Sequence, residues 1–206
     1  MKFKKKLFIS FEGPEASGKS SQIKLLSNYF KKNHIPHLTT REPGGTIIAE
    51  KLRKIILDKK ESINNDEEIL LLMAARLNHL NKVIYPALKT GKIVISDRYA
   101  DSTFVYQGFV NQYGIDKTIN LHKILLNNFL PYKTFLFHLS PTEINKRLKK
   151  RKILNKYDKL NLAFHNKVNE GYKKLSYNNK RFYSINASNS IKDIHDEIIS
   201  VLKNMK

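Results

Sequence analysis

The 206-residue chain contains no cysteine. Disulfide bridges and thiolate zinc sites are therefore excluded, because both need cysteine sulfur. No apolar stretch approaches the roughly 18 residues that a membrane-spanning helix needs, so we expect no membrane partner. The seven histidines form no H-E-x-x-H pattern, which removes the usual signature of a helical zinc site. Internal repeats and low-complexity linkers are also missing, and we expect residues 1–206 to form a single domain.

Acidic residues are scarce relative to basic ones. The chain has 18 Asp and Glu against 38 Lys and Arg, a formal charge of +20. Such a charge attracts polyanions over long range, so nucleic acids and nucleotides are both candidate partners. The basic residues are spread along the chain, which equally fits a compositional drift toward Lys, Asn and Ile. Basic patches interleaved with aromatic residues are not evident, and we expect no nucleic-acid partner.

The start of the chain has basic residues followed by an apolar run, as a secretory signal does. That run, residues 7–11, is short and leads into Glu12-Gly13 without a small-residue cleavage site. We interpret it as a first β-strand and expect a cytoplasmic protein.

Short apolar runs alternate with helical patterns along the chain. This alternation predicts a mostly parallel sheet that helices cover on both faces. The expected strands are residues 7–11, 37–40, 93–96, 134–139 and 181–185. The expected helices are residues 19–32, 46–57, 66–80 with a continuation toward Pro86, one that starts at Pro141-Thr142, and a closing helix that contains residues 191–201. Five strands with intervening helices indicate a doubly wound α/β fold, whose ligand site lies at the carboxyl ends of the strands.

One segment matches the phosphate-binding pattern G-x-x-x-x-G-K-[ST] in full. It consists of Gly13, Pro14, Glu15, Ala16, Ser17, Gly18, Lys19 and Ser20, and it lies between an apolar strand and a helix. That context is the one in which backbone N–H groups and a helix N-terminus receive phosphate oxygens. We expect Lys19 to reach the β- and γ-phosphates of ATP and Ser20 to bind Mg²⁺, and we assign Ser21 to the ATP site as well.

The third expected strand ends at Asp97-Arg98-Tyr99, which should face the same crevice. Asp97 is a candidate for holding Mg²⁺ through water. Arg98 is a candidate for bridging the donor and acceptor phosphates, because a planar guanidinium binds phosphate oxygens in bidentate fashion. A surface ion pair at the end of a strand is the alternative.

Together with four further segments, these residues resemble the thymidylate kinases of bacterial type, which belong to the nucleoside monophosphate kinase group. The segments are T-R-E-P-G-G-T at 40–46, A-A-R at 74–76, D-S-T at 101–103 and Y-Q-G at 106–108. The resemblance covers about residues 8–190. It implies a P-loop nucleotide kinase fold with a basic lid, Mg²⁺-dependent phosphorylation of dTMP to dTDP by ATP, and a homodimer.

The resemblance also implies roles for single residues in the dTMP site. Arg53 would hold the acceptor phosphate together with Arg98, and Arg76 would donate a hydrogen bond to thymine O4. Base-edge and sugar contacts would come from Ser102, Tyr106 and Gln107, and Glu15 would face the deoxyribose 3′-hydroxyl.

Leu72 departs from the family pattern, because that position usually carries an aromatic residue, mostly Phe, stacked on thymine. Leucine keeps the apolar contact but lacks a ring face, and stacking adds roughly 0.5–1.5 kcal/mol beyond area burial. We therefore expect weaker binding or a different base selection, with Phe104 as a candidate for a compensating ring.

The basic segment 146–159 corresponds to the lid of the family. It carries Lys146, Arg147, Lys149, Lys150, Arg151, Lys152, Lys156 and Lys159. Because the P-loop offers no arginine, the resemblance implies that the lid supplies the catalytic one, for which Arg151 is the candidate, while Arg147 would lie against adenine. Asn155-Lys156 stands where the family often has Asp-Arg, and a solvated basic helix face is the alternative.

The acceptor in this reaction would be a phosphate oxygen that is already ionised at neutral pH. No general base is then needed, and catalysis would consist of positioning and charge neutralisation. The segment 186–190 resembles the loop that wraps adenine, although a plain helix cap at Ser190 is equally compatible. Two other functions stay open: a kinase for another nucleoside monophosphate, and a nucleic-acid-binding P-loop ATPase.

Overall fold

The computed structural model describes residues 7–58, 63–150, 157 and 160–205. Five parallel strands form one sheet in the order β2-β3-β1-β4-β5. The strands are β1 (Phe8–Glu12), β2 (His37–Arg41), β3 (Ile93–Asp97), β4 (Lys133–His138) and β5 (Phe182–Asn186). The predicted α/β fold with a five-stranded parallel sheet is thus confirmed.

Helices cover both faces of this sheet. They are α1 (Lys19–Lys32), α2 (Ile47–Leu57), α3 (Asn65–His79), α4 (Tyr85–Lys89), α5 (Ala100–Thr103), α6 (Ile115–Leu126), α7 (Pro141–Lys149), α8 (Leu162–Ser176) and α9 (Ile191–Lys203). Two π-helical segments, Leu80–Ile84 and Phe104–Val110, continue α3 and α5. The predicted continuation of the third helix toward Pro86 is therefore confirmed. None of the helices that the structure describes is both long and apolar enough to cross a membrane.

The apolar patterns of the sequence explain how the layers pack. Alternate residues of a strand point to opposite faces, so Ile9 and Phe11 join one core while Phe8 joins the other. The first core lies beneath α1 and α9, where Phe30 and Ile198 are fully buried. The second lies beneath α3 and its π-helical continuation. β1 is buried throughout because neighbours cover both its edges and both its faces.

The strand order also sets the place of the site. β1 and β3 are adjacent, with Phe11 paired to Asp97, so the loops that leave their carboxyl ends lie side by side. The backbone N–H of Arg98 donates to the carbonyl oxygen of Phe11 over 3.0 Å. The crevice predicted at the carboxyl ends of the strands is therefore built by the P-loop and the segment that follows β3.

The structure bears on two further expectations, the helix cap at Ser190 and the basic lid at 146–159. Ser190 caps α9, since its Oγ accepts a hydrogen bond from the backbone N–H of Asp193 over 3.1 Å. Of the predicted lid, the structure describes the end of α7, Lys150 and Tyr157. Arg151 and Asn155-Lys156 lie outside the described residues.

Candidate active site

The P-loop is held in shape by its glycines. Gly13 and Gly18 have φ angles of 133° and 92°, in a region that other residues adopt only with strain. A Cβ atom on Gly13 would also collide with the carbonyl oxygen of Phe137 in β4. The loop therefore packs directly against the neighbouring strand, and Gly18 turns the chain into α1.

Lys19 is buried within this loop. Its Nζ donates to the carbonyl oxygens of Gly13 and Pro14, over 3.1 and 2.7 Å, and to Oγ of Ser17, over 3.2 Å. Burial, followed by the nearby positive charge of Arg98, lowers the pKa of Lys19 to about 8. Phosphate oxygens would compete with these carbonyl oxygens for the ammonium group, and their negative charge would raise its pKa.

Ser20 and Asp97 meet at the start of α1. The Ser20 hydroxyl donates to Oδ2 of Asp97 over 2.6 Å. Hydroxyl and carboxylate oxygens are ligands that Mg²⁺ prefers, and the ion normally completes its shell with waters and substrate phosphates. Among the described residues no group of three or more His, Cys, Asp or Glu side chains could hold a metal ion by itself. The pair thus fits an ion that arrives with a nucleotide.

Arg98 is fixed by contacts from three directions. Its Nη2 donates to Oε1 of Glu15 in the P-loop over 2.7 Å. Its Nη1 donates to Oγ of Ser102 over 3.0 Å and to the hydroxyl of Tyr172 in α8 over 3.3 Å. Burial alone would lower the pKa of Arg98, but Tyr106 and Glu15 outweigh it and hold the pKa well above the ordinary value. The guanidinium is therefore charged and oriented before any substrate binds.

Glu15 completes this arrangement. Burial acts to raise the pKa of its carboxyl, but Arg98 and Lys19 more than offset it, so the pKa of Glu15 lies below its usual value. Its second oxygen accepts a hydrogen bond from the hydroxyl of Tyr106 over 2.7 Å. An ionised carboxylate thus ties the P-loop to Arg98 and to the acceptor side of the crevice.

The sequence reasoning missed a second buried carboxylate beneath Arg98. Glu12 accepts hydrogen bonds from the backbone N–H of Tyr99 over 2.7 Å, from Ser102 over 2.6 Å and from Tyr172 over 2.9 Å. Burial and the negative charge of Asp101 raise the pKa of Glu12 to about 7. Glu12 could have been found from the sequence, because it is a charged residue at the end of an otherwise apolar strand. No sequence pattern indicated Tyr172, because its contacts depend on how α8 packs.

A cavity of about 960 Å³ opens between the two loops and α3. The structure brings most of the predicted site residues to its walls. They are Glu15, Ala16, Lys19, Ser20, Arg53, Leu72, Arg76, Asp97, Arg98, Ser102, Tyr106 and Gln107. The predicted donor and acceptor residues therefore share one cavity.

The other residues predicted to bind ATP are not in those walls. They are Gly13, Pro14, Ser17, Gly18, Ser21 and Arg147. Arg147 instead bridges the two segments predicted to surround ATP: its guanidinium donates to the carbonyl oxygen of Ala16 over 3.3 Å and to that of Ala187 over 2.9 Å. Its placement against adenine stays a prediction.

Arg53 and Leu72 both line the cavity, the first with a charged side chain and the second with an apolar one. Arg53 donates from Nη1 to the carbonyl oxygen of Pro43 over 2.8 Å, and burial together with Arg41 lowers its pKa. Leu72 is buried and presents its apolar side chain to the cavity. Phe104 does not line the cavity; it is buried in the core against the ring of His122, with centroids 5.5 Å apart. The expectation that Phe104 supplies a compensating ring is therefore wrong.

Gln107 contacts the described part of the lid. Its Nε2 donates to Oε1 of Glu68 in α3 over 2.6 Å and to the hydroxyl of Tyr157 over 3.3 Å. Tyr157 in turn donates to the same Glu68 oxygen over 2.7 Å. The ring of Tyr157 packs edge-on against Tyr106, with centroids 5.3 Å apart. Tyr157, in the segment predicted to be the lid, thus lines the cavity, a contribution that the sequence reasoning missed.

Arg76 is buried, and several protein groups hold its guanidinium. Nε donates to Oε2 of Glu42 over 2.7 Å, while Nη2 donates to Oγ1 of Thr103 over 2.7 Å and to the carbonyl oxygen of Tyr99 over 3.3 Å. The guanidinium also lies over the Tyr99 ring, 5.2 Å from its centroid. Arg76 therefore has one fixed orientation at the edge of the cavity.

Comparisons with known proteins identify the family of this chain. A family model described as "Thymidylate kinase" matches residues 11–198. A thymidylate kinase of Rickettsia canadensis is 42% identical over 193 residues, which cover 93% of this chain and 94% of the relative. A second, from Clostridium novyi, is 38% identical over 201 residues, which cover 95% and 98%. The crystal structure of thymidylate kinase from Ehrlichia chaffeensis has a TM-score of 0.74 at 30% identity, with 95% and 98% of the two chains covered. This chain belongs to the thymidylate kinase family.

Proposed function

We propose that this chain transfers the γ-phosphoryl group of ATP to dTMP, giving dTDP and ADP. The observation that carries the proposal is the shared cavity, in which Lys19 of the P-loop, Arg98 and Arg76 all take part. A donor phosphate chain at the P-loop and a monophosphate beside Arg53 would bring their phosphates together at Arg98. The family assignment supports ATP and dTMP as the pair of substrates.

The reaction is a direct in-line transfer. An ionised phosphate oxygen of dTMP attacks the γ-phosphorus, and the bond to the bridging oxygen breaks so that ADP leaves. Lys19 and Arg98 neutralise the charge that moves between the two nucleotides, and their fixed positions remove the cost of orienting them during the reaction. Ser20 and Asp97 would hold Mg²⁺, which supplies further neutralisation of the phosphate oxygens when it is bound.

The lid contributes in two places under this proposal. Tyr157 closes the acceptor side through its contacts with Glu68 and Gln107. Arg151, the candidate for the catalytic lid arginine, lies outside the described residues, and its role stays a prediction of the family resemblance. Closure excludes water, which otherwise competes with dTMP as phosphoryl acceptor.

A panel of acceptors tests this function. The purified chain with ATP and Mg²⁺ is expected to release ADP rapidly with dTMP and slowly without an acceptor, measured in a coupled assay. With dUMP we expect a lower kcat/KM, because one methyl group in an apolar pocket is worth roughly 1–3 kcal/mol, or about 10–200-fold. ATP consumption that is independent of every added monophosphate would contradict the proposal.

We further propose that the chain acts as a homodimer. α3 exposes one apolar stripe, in which Leu70 is 58% and Leu77 39% accessible with Ala74 between them. Ile48 and Ile55 are exposed on α2, which packs beside α3. A contiguous apolar patch on a small protein commonly marks an interface. We expect the native chain to have twice the monomer mass in size-exclusion chromatography with light scattering, and the double variant Leu70→Glu, Leu77→Glu to have the monomer mass.

Ile191 offers the matched control for the dimer. It is 64% exposed, and α9 lies with α1 on the other core of the sheet. The Ile191→Glu variant should therefore keep the native mass. A native chain with the mass of one copy, or a double variant that stays dimeric, would contradict the proposed interface.

A further inference from the structure

A buried chain of polar side chains runs from Arg76 to β2. Glu42 places one oxygen on each neighbour: Oε2 accepts from Nε of Arg76 over 2.7 Å, and Oε1 lies 2.8 Å from Nδ1 of His79. Nε2 of His79 lies 2.6 Å from Oγ1 of Thr40. Arg76, Glu42 and His79 are 3%, 5% and 0% exposed, so none of these bonds competes with bulk water.

The hydrogen bonds define which ring nitrogen of His79 carries a hydrogen. Nδ1 faces a carboxylate, which can only accept, so Nδ1 must donate. Nε2 lies against the hydroxyl of Thr40, which can donate or accept, so both ring nitrogens have a partner. A Cβ atom on Gly45 would come within 2.6 Å of the imidazole ring and 2.7 Å of Oγ1 of Thr40, which shows how closely the chain surrounds the ring. His79 therefore cannot turn without losing both bonds.

This arrangement fixes the plane of the Arg76 guanidinium. Glu42 holds Nε, and Thr103 with the carbonyl oxygen of Tyr99 holds Nη2. The remaining nitrogen, Nη1, contacts only the sulfur of Met73 within the described residues, at 3.7 Å, and sulfur is a weak acceptor. Nη1 is thus the nitrogen whose hydrogens are free for a ligand in the cavity. Its direction depends on Glu42, and the direction of the Glu42 carboxylate depends on His79.

Charge reinforces the geometry. Burial acts to raise the pKa of Glu42, but Arg76 and the hydrogen bond from His79 outweigh it, so the pKa lies below its usual value. The buried carboxylate is therefore ionised and pairs with one guanidinium. A buried carboxylate that loses one of its hydrogen-bond donors is no longer fully compensated for its loss of hydration. It then reorients toward the donors that remain.

We propose that Glu42 and His79 are positioning residues that set base selection through Arg76. The inference rests on the proposed function and adds to it the residues that orient the Arg76 guanidinium. A guanidinium hydrogen at a fixed point favours a ring that offers an oxygen there. Thymine has a carbonyl oxygen at C4, whereas cytosine has an amino group that can only donate. If the Arg76 guanidinium loses this orientation, kcat/KM for dTMP therefore falls far more than kcat/KM for dCMP.

Two substitutions of His79 distinguish its role in orienting Glu42 and Arg76 from its role in packing. The amide nitrogen of asparagine can take the place of Nδ1, and that of glutamine takes the place of Nε2. We expect His79→Asn to keep the dTMP KM within about 3-fold and His79→Gln to raise it about 10-fold, the size expected when a buried polar group loses its partner. In His79→Gln the ratio of kcat/KM for dTMP to that for dCMP should fall about 10-fold, while the KM for ATP stays near the native value.

Glu42→Gln gives the same readout by a second route. The glutamine amide carries no charge, so Nε of Arg76 loses its ionised partner and keeps at most a weaker, neutral hydrogen bond. We expect the same fall in the dTMP-to-dCMP ratio, and this variant carries the test if His79→Gln does not fold, as judged by circular dichroism. A ratio that stays native in both folded variants, or asparagine and glutamine variants that behave alike, would overturn the inference. Failure of the native chain to phosphorylate dTMP would instead contradict the proposed function.

Discussion

Replacing Arg98 with alanine is expected to lower kcat for dTMP phosphorylation by at least about 10³-fold, the effect of removing an arginine that stabilises a moving phosphoryl group. The substitution removes a charge that Glu15, Ser102 and Tyr172 orient in advance. It also leaves the buried carboxylate of Glu15 without its principal counter-charge. The rate is measured as ADP release at saturating ATP and dTMP.

Two further variants show how much of the effect comes from the charge of Arg98, from its planar geometry and from its contact with Tyr172. Arg98→Lys keeps a positive charge but cannot hold two phosphate oxygens in one plane, so a loss between native and Arg98→Ala is expected. Tyr172→Phe keeps the guanidinium but removes its bond to the Tyr172 hydroxyl and the bond from that hydroxyl to Glu12, so it should cost about 10–100-fold in kcat, less than Arg98→Ala. A near-native kcat in Arg98→Ala would remove Arg98 from the transfer step.

The second large effect concerns Lys19. Lys19→Met is expected to lower kcat by about 10²–10³-fold, as the loss of one preorganised donor to a developing charge does. The native enzyme should also show a pH dependence that this variant lacks. Because the pKa of Lys19 is about 8 in the free protein, the lysine loses its proton above pH 8, and ATP must then bind to a neutral amine or recruit a proton. The KM for ATP is therefore expected to rise with pH above 8 in the native enzyme only.

Lys24 provides a matched control on the same helix. It is exposed on α1 and lies outside the cavity, so Lys24→Met removes an identical charge away from the phosphates. We expect this variant to keep the native kcat and the native dependence of the ATP KM on pH. The assignment of Lys19 would be wrong if both lysine variants lost the same activity, because a general change of charge would then explain the effect.

Features encoded by neighbouring residues were accessible from the sequence. The P-loop is a contiguous pattern, and α1 begins at Lys19 because Gly18 alone can adopt the turn that precedes it. The central strands β1, β3 and β4 were recognisable because each is a short apolar run that is largely buried, whereas the edge strands β2 and β5 are less apolar and only partly buried. The position of Asp97 in the same crevice as the P-loop, where it meets Ser20, was predictable from the rule that ligand sites lie at the carboxyl ends of the strands.

Features that depend on distant contacts were not accessible. Tyr172 reaches Glu12 across 160 positions of sequence, and no local pattern marks either residue as a support for Arg98. The burial of Phe104 was equally hidden, because a π-helical segment shifts the face that its side chain presents. Glu42 lies in the T-R-E-P-G-G-T segment and His79 at the end of α3, and only the packing of α3 beside β2 brings them together.

Arg98 adopts a left-handed backbone conformation, with φ of 67°, that glycine and asparagine accept more readily than arginine. Glycine at this position would relax the main chain but would remove the guanidinium. The relief of backbone strain, about 1–2 kcal/mol, is smaller than the roughly 3–5 kcal/mol that is lost when the buried carboxylate of Glu15 has no counter-charge. Selection for heat resistance alone should therefore retain arginine at residue 98, and thermostable libraries of this chain should keep the strained turn together with the guanidinium.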